Sequence, residues 1–246
     1  MTTMLAASRL EGSVVNDADV EFRLVQFPWA KSVLPPFHRT SDGIVPNDAL
    51  MLSLEQNGLY EEGTTVLCSV VSGNDNHVLG LLQHEVPFDF VLPDEPDIAL
   101  EPGADILSYD LVCAIYRARL DTWMPFVLSL KKLGKRIIQL EMPPSIGDNA
   151  RVSAQLDAFF RELPGNPEVA PKMLRYKLWR ALSNILRAVC EEHGIEYIAV
   201  PENMIDNGFL AEAGIYSDAT HGSPAFSEAR LRQVRSLLTQ TQEDPA

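Results

Sequence analysis

The sequence predicts an α/β fold with a mainly parallel sheet, and two observations lead to this prediction. Short apolar runs of strand length alternate along the chain with longer stretches of helical periodicity. The 246 residues are 46% hydrophobic and no Ser/Gly-rich linker divides them, so we expect one sizeable core and a single domain over 1–246. Residues 1–20 and 239–246 are polar and are expected to fray.

The first half of the chain predicts a strand, a helix and a second strand. An apolar run over 22–27 ends at Pro28 and predicts the first strand. Residues 46–57 predict a helix, because proline suits a first helical turn and Asn57-Gly58 supplies a stop. The run 65–71 predicts the next strand. Alternation over 86–92 predicts a hairpin arm or an extended segment, and a loop follows at 93–103.

The second half predicts four helices around two further strands. A long helix is expected from Ser108 to Gly134, with an interruption or kink at Pro125. A buried strand at 136–140 follows, then helices at 152–163 and 171–193 and the last strand at 196–200. Ser223 predicts the start of the closing helix 224–238. The residues expected on the apolar side of the long helix are Leu111, Ile115, Leu120, Met124, Val127 and Leu130.

Charge and composition narrow the function classes. A formal net charge of −14 argues against nucleic acid or an anionic membrane as a partner, because binding phosphates requires clustered Lys and Arg. The basic residues at 131–136 and along 172–187 are interpreted as helix ends and solvated faces. The chain has no apolar run of about 18 residues and no signal-peptide pattern, so a soluble, cytoplasmic protein is expected.

Cysteines and glycines give no sign of a cofactor or a disulfide framework. Cys68, Cys113 and Cys190 are widely spaced and lie in apolar patterns, so they are interpreted as buried thiols. The chain has neither a phosphate-cradling Gly-rich loop nor a dinucleotide fingerprint, so no cofactor is implied. The oligomeric state is not predicted.

Two short motifs carry the chemistry. Ser217-Asp218-Ala219-Thr220-His221-Gly222 places a carboxylate and an imidazole three residues apart in a polar turn before the last helix. A carboxylate that orients an imidazole makes it a usable general base near neutral pH. Ser72-Gly73-Asn74-Asp75 follows the strand predicted at 65–71. Functional residues of open parallel sheets gather beyond the carboxyl ends of the strands, so the two motifs are expected to meet there.

Taken together, the two motifs resemble those of the SGNH (GDSL-like) hydrolase family, over about residues 22–238 in element order. The resemblance implies a three-layer, flavodoxin-like sandwich and an esterase, acetylesterase or acyltransferase acting on a small ester. It implies that Asn74 donates its side-chain amide to the oxyanion, with the backbone N–H of Gly73, and that Asp218 and His221 are the orienter and base of a Ser triad. Ser72 replaces the glycine that opens the family's motif.

The nucleophile is where the chain departs from the family. No Gly-Asp-Ser is present, and the first predicted strand is followed by Pro28-Trp29-Ala30-Lys31-Ser32-Val33. Ser32 is the nearest hydroxyl to the expected place and is the candidate nucleophile, with capping of a turn as its ordinary alternative. Ser41 is a more distant candidate in a turn. Two further alternatives are a binding protein that has lost its nucleophile, and direct activation of water by His221 and Asp218.

Three further side chains are candidates for the neighbourhood of these motifs. Trp29 follows the first strand and would wall or block the pocket. His77 lies three residues after Asn74 and is expected near the pocket mouth, contacting substrate or assisting proton transfer, or as a polar loop residue. His84 could share a face with His77. No spacing typical of a metal site supports ligation by these residues, so metal catalysis is disfavoured.

Overall fold

The structure, a computed structural model, describes residues 16–17, 20–21, 37–41, 43–56, 66–70, 75–133, 135–163 and 168–243. The described strands are β1 (Asn16–Asp17), β2 (Val20–Glu21), β3 (Phe37–Thr40), β4 (Gly43–Pro46), β5 (Val66–Ser69), β6 (Phe88–Asp89), β7 (Asp105–Ile106), β8 (Arg136–Leu140), β9 (Glu196–Ile198), β10 (Ile205–Asp206) and β11 (Phe209–Leu210). The described helices are α1 (Asp48–Gln56), α2 (Asp75–Gly80), α3 (Tyr109–Lys131), α4 (Asn149–Gln155), α5 (Ala158–Arg161), α6 (Lys172–Glu192) and α7 (Pro224–Glu243).

A parallel sheet in the order β5-β8-β9 organises the molecule. Val66 pairs with Arg136 across the first ladder, and Ile138 pairs with Glu196 across the second. Parallel neighbours need crossover connections, which α2 and α3 supply before β8 and α4 to α6 supply before β9. The predicted α/β class with a parallel sheet is confirmed. The first predicted strand, at 22–27, lies outside the described residues.

Strand β8 packs apolar side chains on both of its faces. Ile137 lies in the largest apolar cluster, together with residues of α3 and α6. The next residue, Ile138, packs with Leu140 and with Val234 of α7 in a separate cluster. Successive side chains of a strand point to opposite faces, so the two clusters lie on opposite sides of β8. This explains why apolar residues occupy the successive positions 137 and 138 as well as position 140.

Helix α3 begins and ends close to where the sequence predicts, but its buried face differs. Ser108 caps the helix by accepting a hydrogen bond from the Leu111 amide at 3.2 Å. The helix runs through Pro125, so the predicted interruption is wrong. Leu111 and Ile115 are exposed, whereas the core-facing side chains are Val112, Tyr116, Leu120, Met124, Val127 and Leu130. The first two turns of α3 carry apolar residues on more than one side. The sequence therefore does not determine which side is buried, and tertiary packing does.

Three other predicted segments differ in the structure. The helix predicted at 152–163 is two short helices, because Leu156 has ψ of 133° and the Asp157 carboxylate caps the second helix. The extended alternative for 86–92 is correct, because β6 pairs in parallel with β7 and forms no hairpin with it. Near the two ends of the described chain, β1 pairs with β2 and α7 continues to Glu243.

Cysteine burial and membrane crossing can also be compared with the prediction. Cys190 is buried and Cys113 half-buried, but Cys68 is exposed, so the prediction of three buried thiols is wrong for Cys68. Burial raises the pKa of the Cys190 thiol to about 12.

Among the described helices, none has the length and apolar character needed to cross a membrane.

Candidate functional site

Asp218 and His221 form a hydrogen-bonded pair in the turn before α7. One carboxylate oxygen, Oδ1 of Asp218, accepts hydrogen bonds from the backbone amides of Thr220 at 2.9 Å and His221 at 2.8 Å. The other, Oδ2, lies 2.9 Å from Nδ1 of the His221 ring. A ring that donates from Nδ1 to a carboxylate accepts a proton at Nε2. The three-residue spacing therefore produces an oriented imidazole within a single turn.

The turn is fastened on both sides by local contacts. Ile215 pairs with Gly222, and the Tyr216 amide donates to the His221 carbonyl at 3.3 Å. The Ser223 hydroxyl donates to the Ala213 carbonyl at 2.6 Å and accepts from the Phe226 amide at 3.2 Å, which caps α7 as predicted. A Cβ at Gly222 would lie 2.6 Å from the Phe226 ring, so this position requires glycine. Hydrogen bonds and packing on both sides therefore fix the segment that carries the imidazole.

The environment favours the ionised form of Asp218. Burial alone would raise the pKa of this carboxyl, but the amides of Thr220 and His221 and the neighbouring His221 ring together outweigh burial. The net effect is a pKa below the usual value for aspartate. An ionised carboxylate beside Nδ1 stabilises the imidazolium that forms when Nε2 accepts a proton. Both side chains are about one-third exposed, so the site is reachable from solvent.

His77 lies close to this pair but not at a pocket mouth. It is in helix α2 rather than in a loop, and only 4% of it is exposed. Burial, the Arg175 guanidinium and the His221 ring lower the pKa of His77 to about 3, with Asp218 opposing them. The alternative of a polar loop residue is therefore wrong. At neutral pH His77 is an uncharged imidazole next to the Asp218–His221 pair.

Helix α2, which begins directly after Gly73 and Asn74, is tied to two other elements. Asp75 accepts hydrogen bonds from Nε of Arg119 at 3.0 Å and from its Nη2. A Cβ at Gly80 would overlap Cδ1 of Leu178, so α2 and α6 are in close contact there. These contacts position the last residue of the Ser72-to-Asp75 motif, a role that the sequence did not predict for Asp75.

Ser145 joins the loops that follow the three parallel strands. The Asn76 amide, after β5, donates to the Ser145 hydroxyl at 3.5 Å. Ser145 follows β8, and its carbonyl accepts from the Leu210 amide at 3.0 Å, in the segment after β9. The carboxyl ends of the strands therefore face one shared region, as parallel topology predicts. The segment after β9 continues to Asp218 and His221.

Arg175 lies near His77 and was not predicted as part of the site from the sequence. It is 2% exposed and donates to the carbonyls of Ala170 at 3.2 Å and Ile146, and to the Asn149 side chain. Burial lowers the pKa of this guanidinium to about 10, with Asp148 opposing the shift. The prediction of a solvated basic face on 172–187 is wrong at Arg175 and Lys177, both of which are buried. Nothing in the helical spacing distinguishes them from exposed cations.

A cleft of about 290 Å³ opens beside the turn. Its apolar lining includes Ile146, Phe209, Leu210 and Ile215. Its charged lining consists of Asp148, Arg151, Lys172, Asp206 and Glu212. Ile215, a lining residue, pairs with Gly222, so the cleft borders the turn that carries the pair.

The predicted site residues divide into two groups. Asp218, His221 and His77 lie together, whereas Ser32, Trp29, Gly73 and Asn74 lie outside the described residues. Ser41 lies in the turn between β3 and β4, as the sequence predicts. Nε2 of His84 lies 2.8 Å from the carbonyl oxygen of Leu79. Within the described ranges, no three His, Cys, Asp or Glu side chains form a group that could hold a metal ion.

Comparison with known proteins gives only remote likenesses. No protein-family model and no curated protein matches this chain. The chain is similar to a proposed acylhydrolase from Bacteroides fragilis at 12% identity, over 78% of this chain and 96% of the other, with a TM-score of 0.37. It is also similar to a proposed platelet activating factor from Streptococcus pneumonia at 10% identity, over 78% of this chain and 100% of the other, with a TM-score of 0.36. TM-scores this low carry no conclusion about the fold or activity of this chain.

Proposed function

We propose that this chain is an ester hydrolase of SGNH-like, three-layer architecture. The observation that carries the proposal is the Asp218–His221 pair, with 2.9 Å between Oδ2 and Nδ1 and two backbone amides on Oδ1. This arrangement orients an imidazole and stabilises its protonated form, which are the two requirements of a general base in acyl transfer. The substrate class is a small-molecule ester.

The proposed roles follow the chemistry of a serine hydrolase. The Ser32 hydroxyl attacks the ester carbonyl while Nε2 of His221 takes its proton. Asn74 and the Gly73 N–H stabilise the oxyanion of the tetrahedral intermediate. Collapse releases the alcohol, which takes the proton from His221 and leaves an acyl-serine. Water then attacks the acyl-serine in the same way and releases the acid, or a second alcohol does so and completes an acyl transfer.

Position within the fold supports the same proposal. Ser145 connects the loops that follow β5, β8 and β9, and the Asp218–His221 turn belongs to the last of these. Asn74 is the residue immediately before Asp75, whose carboxylate is held by Arg119. A base from one loop and an oxyanion donor from another are typical of sites at the carboxyl edge of a parallel sheet. Trp29 is proposed as a substrate-contacting residue, and His77, buried beside the pair, as a neutral imidazole that assists proton transfer.

Turnover of 4-nitrophenyl acetate tests the triad. We expect the wild type to hydrolyse it, and His221→Ala and Ser32→Ala each to lose about 10³-fold or more in kcat. His193→Ala and Ser236→Ala are matched controls, since His193 directly follows α6 and Ser236 is exposed on α7. Equal rates in all five proteins would end the proposal. Activity that needs His221 but survives loss of Ser32 would instead indicate direct activation of water.

A second candidate is a ligand-binding or partner-binding protein of the same fold with no working nucleophile. The observation in its favour is the sequence Pro28-Trp29-Ala30-Lys31-Ser32-Val33, which stands where the family has Gly-Asp-Ser. A fluorophosphonate probe separates the two candidates, because it reacts only with an activated serine. A stoichiometric adduct at Ser32, absent after His221→Ala, supports the enzyme. No adduct together with no turnover supports the binding protein.

A further inference from the structure

The cleft beside the catalytic turn shares an apolar floor with that turn. Ile146, Leu210 and Ile215 line the cleft and belong to the same apolar cluster as Ala219, which lies between Asp218 and His221. The backbone of Ile215 pairs with Gly222, directly after His221. The cleft and the segment that carries the imidazole are therefore joined through the backbone of Ile215 and through one apolar cluster.

The rim of the cleft carries both signs of charge. Three carboxylates and two cations line it, which leaves a formal balance of −1. Arg151 is already neutralised, because its Nη1 lies 2.7 Å from both carboxylate oxygens of Glu212. Asp206 accepts a hydrogen bond from the Asn207 amide at 2.9 Å. The rim thus offers acceptors on carboxylates and donors on Asn207, Arg151 and Lys172 at short range from one another.

This rim selects against two kinds of occupant. A long acyl tail would cover charged groups without hydrogen-bonding to them, which costs free energy. With the Arg151–Glu212 pair set aside, an anionic group would meet two carboxylates, Asp148 and Asp206, and one cation, Lys172. A neutral group with several hydroxyls fits both requirements, since each hydroxyl donates one hydrogen bond and accepts two.

Phe209 supplies a fixed apolar surface in this cleft. The Asn207-Gly208 turn, with φ of 49° and 83°, reverses the chain between β10 and β11 and places Phe209 at the start of β11. A Cβ at Gly147 would lie 3.0 Å from the Phe209 ring, and the Tyr176 ring centroid is 5.7 Å away. Tyr176 is itself held by a hydrogen bond to Glu95 at 2.8 Å. A rigid aromatic ring among mixed polar groups suits the C–H face of a sugar ring.

We infer that the cleft between β11 and α4 binds the alcohol part of the ester, and that this alcohol is a neutral sugar-type polyol. The inference rests on the proposed function and narrows it to esters of carbohydrates. Phe209 contacts the ring face, and the polar rim hydrogen-bonds the hydroxyls that carry no acyl group. The acyl group then points toward His221.

The experiment compares substrates that differ in their alcohol or acyl part. The wild type is assayed with partially acetylated methyl glucoside, acetylcholine, 4-nitrophenyl palmitate and 4-nitrophenyl acetate. We expect kcat/KM for the sugar ester to exceed that for acetylcholine and for the palmitate ester by about tenfold or more. Preference for acetylcholine would indicate a cation site, and preference for the palmitate ester an acyl groove. Either result overturns the inference.

Phe209→Leu removes the flat ring but keeps an apolar side chain against Gly147 and Tyr176. We expect KM for the sugar ester to rise about three- to tenfold, with kcat for that ester within about twofold of wild type. Phe88→Leu is the matched control, because Phe88 lies in β6 and packs against His84. A fall in kcat with KM unchanged would mean that Phe209 has only a structural role and would contradict the inference.

A binding measurement separates failure of this inference from failure of the hydrolase proposal. Calorimetric titration with methyl glucoside needs no turnover. Binding that Phe209→Leu weakens supports the polyol cleft even if 4-nitrophenyl acetate is not hydrolysed. Hydrolysis of 4-nitrophenyl acetate without binding of methyl glucoside at millimolar concentration leaves the enzyme intact and refutes the polyol cleft.

Discussion

At the scale of single residues, the geometry of Asp218 decides what His221 can do. Its carboxylate makes four contacts within the 218–221 turn: two to backbone amides, one to the Thr220 hydroxyl and one to the ring. The amides keep the carboxyl ionised and fixed in orientation, which also fixes the ring tautomer with Nε2 as the proton acceptor. His77 adds an uncharged neighbour, since burial and, after it, the nearby Arg175 guanidinium lower its pKa.

Replacing Asp218 by Asn tests the orienting role. An amide keeps an oxygen for the Thr220 and His221 backbone N–H groups, so the turn should survive, but its NH₂ group would face Nδ1 and favour the wrong tautomer. We expect kcat for 4-nitrophenyl acetate to fall by about 10³- to 10⁴-fold with little change in melting temperature. Activity within threefold of wild type would show that Asp218 does not orient a catalytic base.

His77 predicts a specific loss of stability in acid. Its pKa is about 3 in the folded chain and about 6.5 when unfolded, so the unfolded state binds the extra proton between these values. The stability is complete above about pH 6.5 and falls with decreasing pH, by about 1 kcal/mol per pH unit for this group. Urea unfolding at pH 7, 6 and 5 should show the trend, and His77→Gln should remove this part of it. An identical pH dependence in His77→Gln would show that His77 is not the group responsible.

At the scale of elements, the short helix α2 depends on its contact with α6. Asp75 is tied to Arg119 of α3, and Gly80 allows the Leu178 side chain of α6 to approach closely. Six residues are too few for a helix to be stable alone, so packing must hold α2 in place. The helix in turn carries His77 and follows Asn74, which links this packing to the site.

Gly80→Ala tests this contact. The new methyl group would overlap Cδ1 of Leu178, so one of the two elements must move. We expect a destabilisation of about 1–3 kcal/mol in urea unfolding. The double variant Gly80→Ala, Leu178→Ala should be less destabilised than the sum of its two single variants, since truncating Leu178 relieves the clash. Simple additivity would show that the close approach is not what requires glycine.

At the scale of the whole molecule, a buried ion pair joins the excursion between α2 and α3 to α6. Nζ of Lys177 lies 2.6 Å from Oδ2 of Asp89, and both side chains are at most 2% exposed. The Asp89 carboxylate also accepts from the amides of Phe90 at 2.7 Å and Glu101 at 2.8 Å. The ion pair fixes Asp89 and its buried neighbour Phe90 against α6, whereas most of residues 93–101 are exposed.

Asp89→Asn should be among the most damaging single changes outside the site. It would leave the Lys177 ammonium buried without a counter-charge, so we expect a loss of about 3–5 kcal/mol of unfolding free energy. The double variant Asp89→Leu, Lys177→Met should lose less than Asp89→Asn, because no charge remains buried. Glu228→Gln is the control, as its pair with Arg232 is exposed and worth under about 1 kcal/mol. A loss for Asp89→Asn no larger than that of the control would mean that Lys177 does not depend on this carboxylate.

Features that depend on neighbours in the chain were predictable from the sequence alone. Strand β8 and helix α6 lie where apolar periodicity, proline and glycine place them, and the parallel sheet follows from strands alternating with long helices. Asp218 and His221 meet because they lie three positions apart in one turn, which requires no long-range contact. The helix caps formed by Ser108 and Ser223 also depend on near neighbours, because each hydroxyl accepts a hydrogen bond from the amide three residues later.

Only the tertiary structure decided which side chains leave water. Arg175 and Lys177 carry the same charge as the exposed cations of α6, and they are buried because Asp89, Asn149 and the carbonyls of other segments come to meet them. His77 is buried for the same reason, and α3 turns Val112 rather than Leu111 to the core. Burial depends on the elements that pack against a residue, which adjacent sequence does not specify, whereas turns and caps depend on hydrogen bonds between near neighbours.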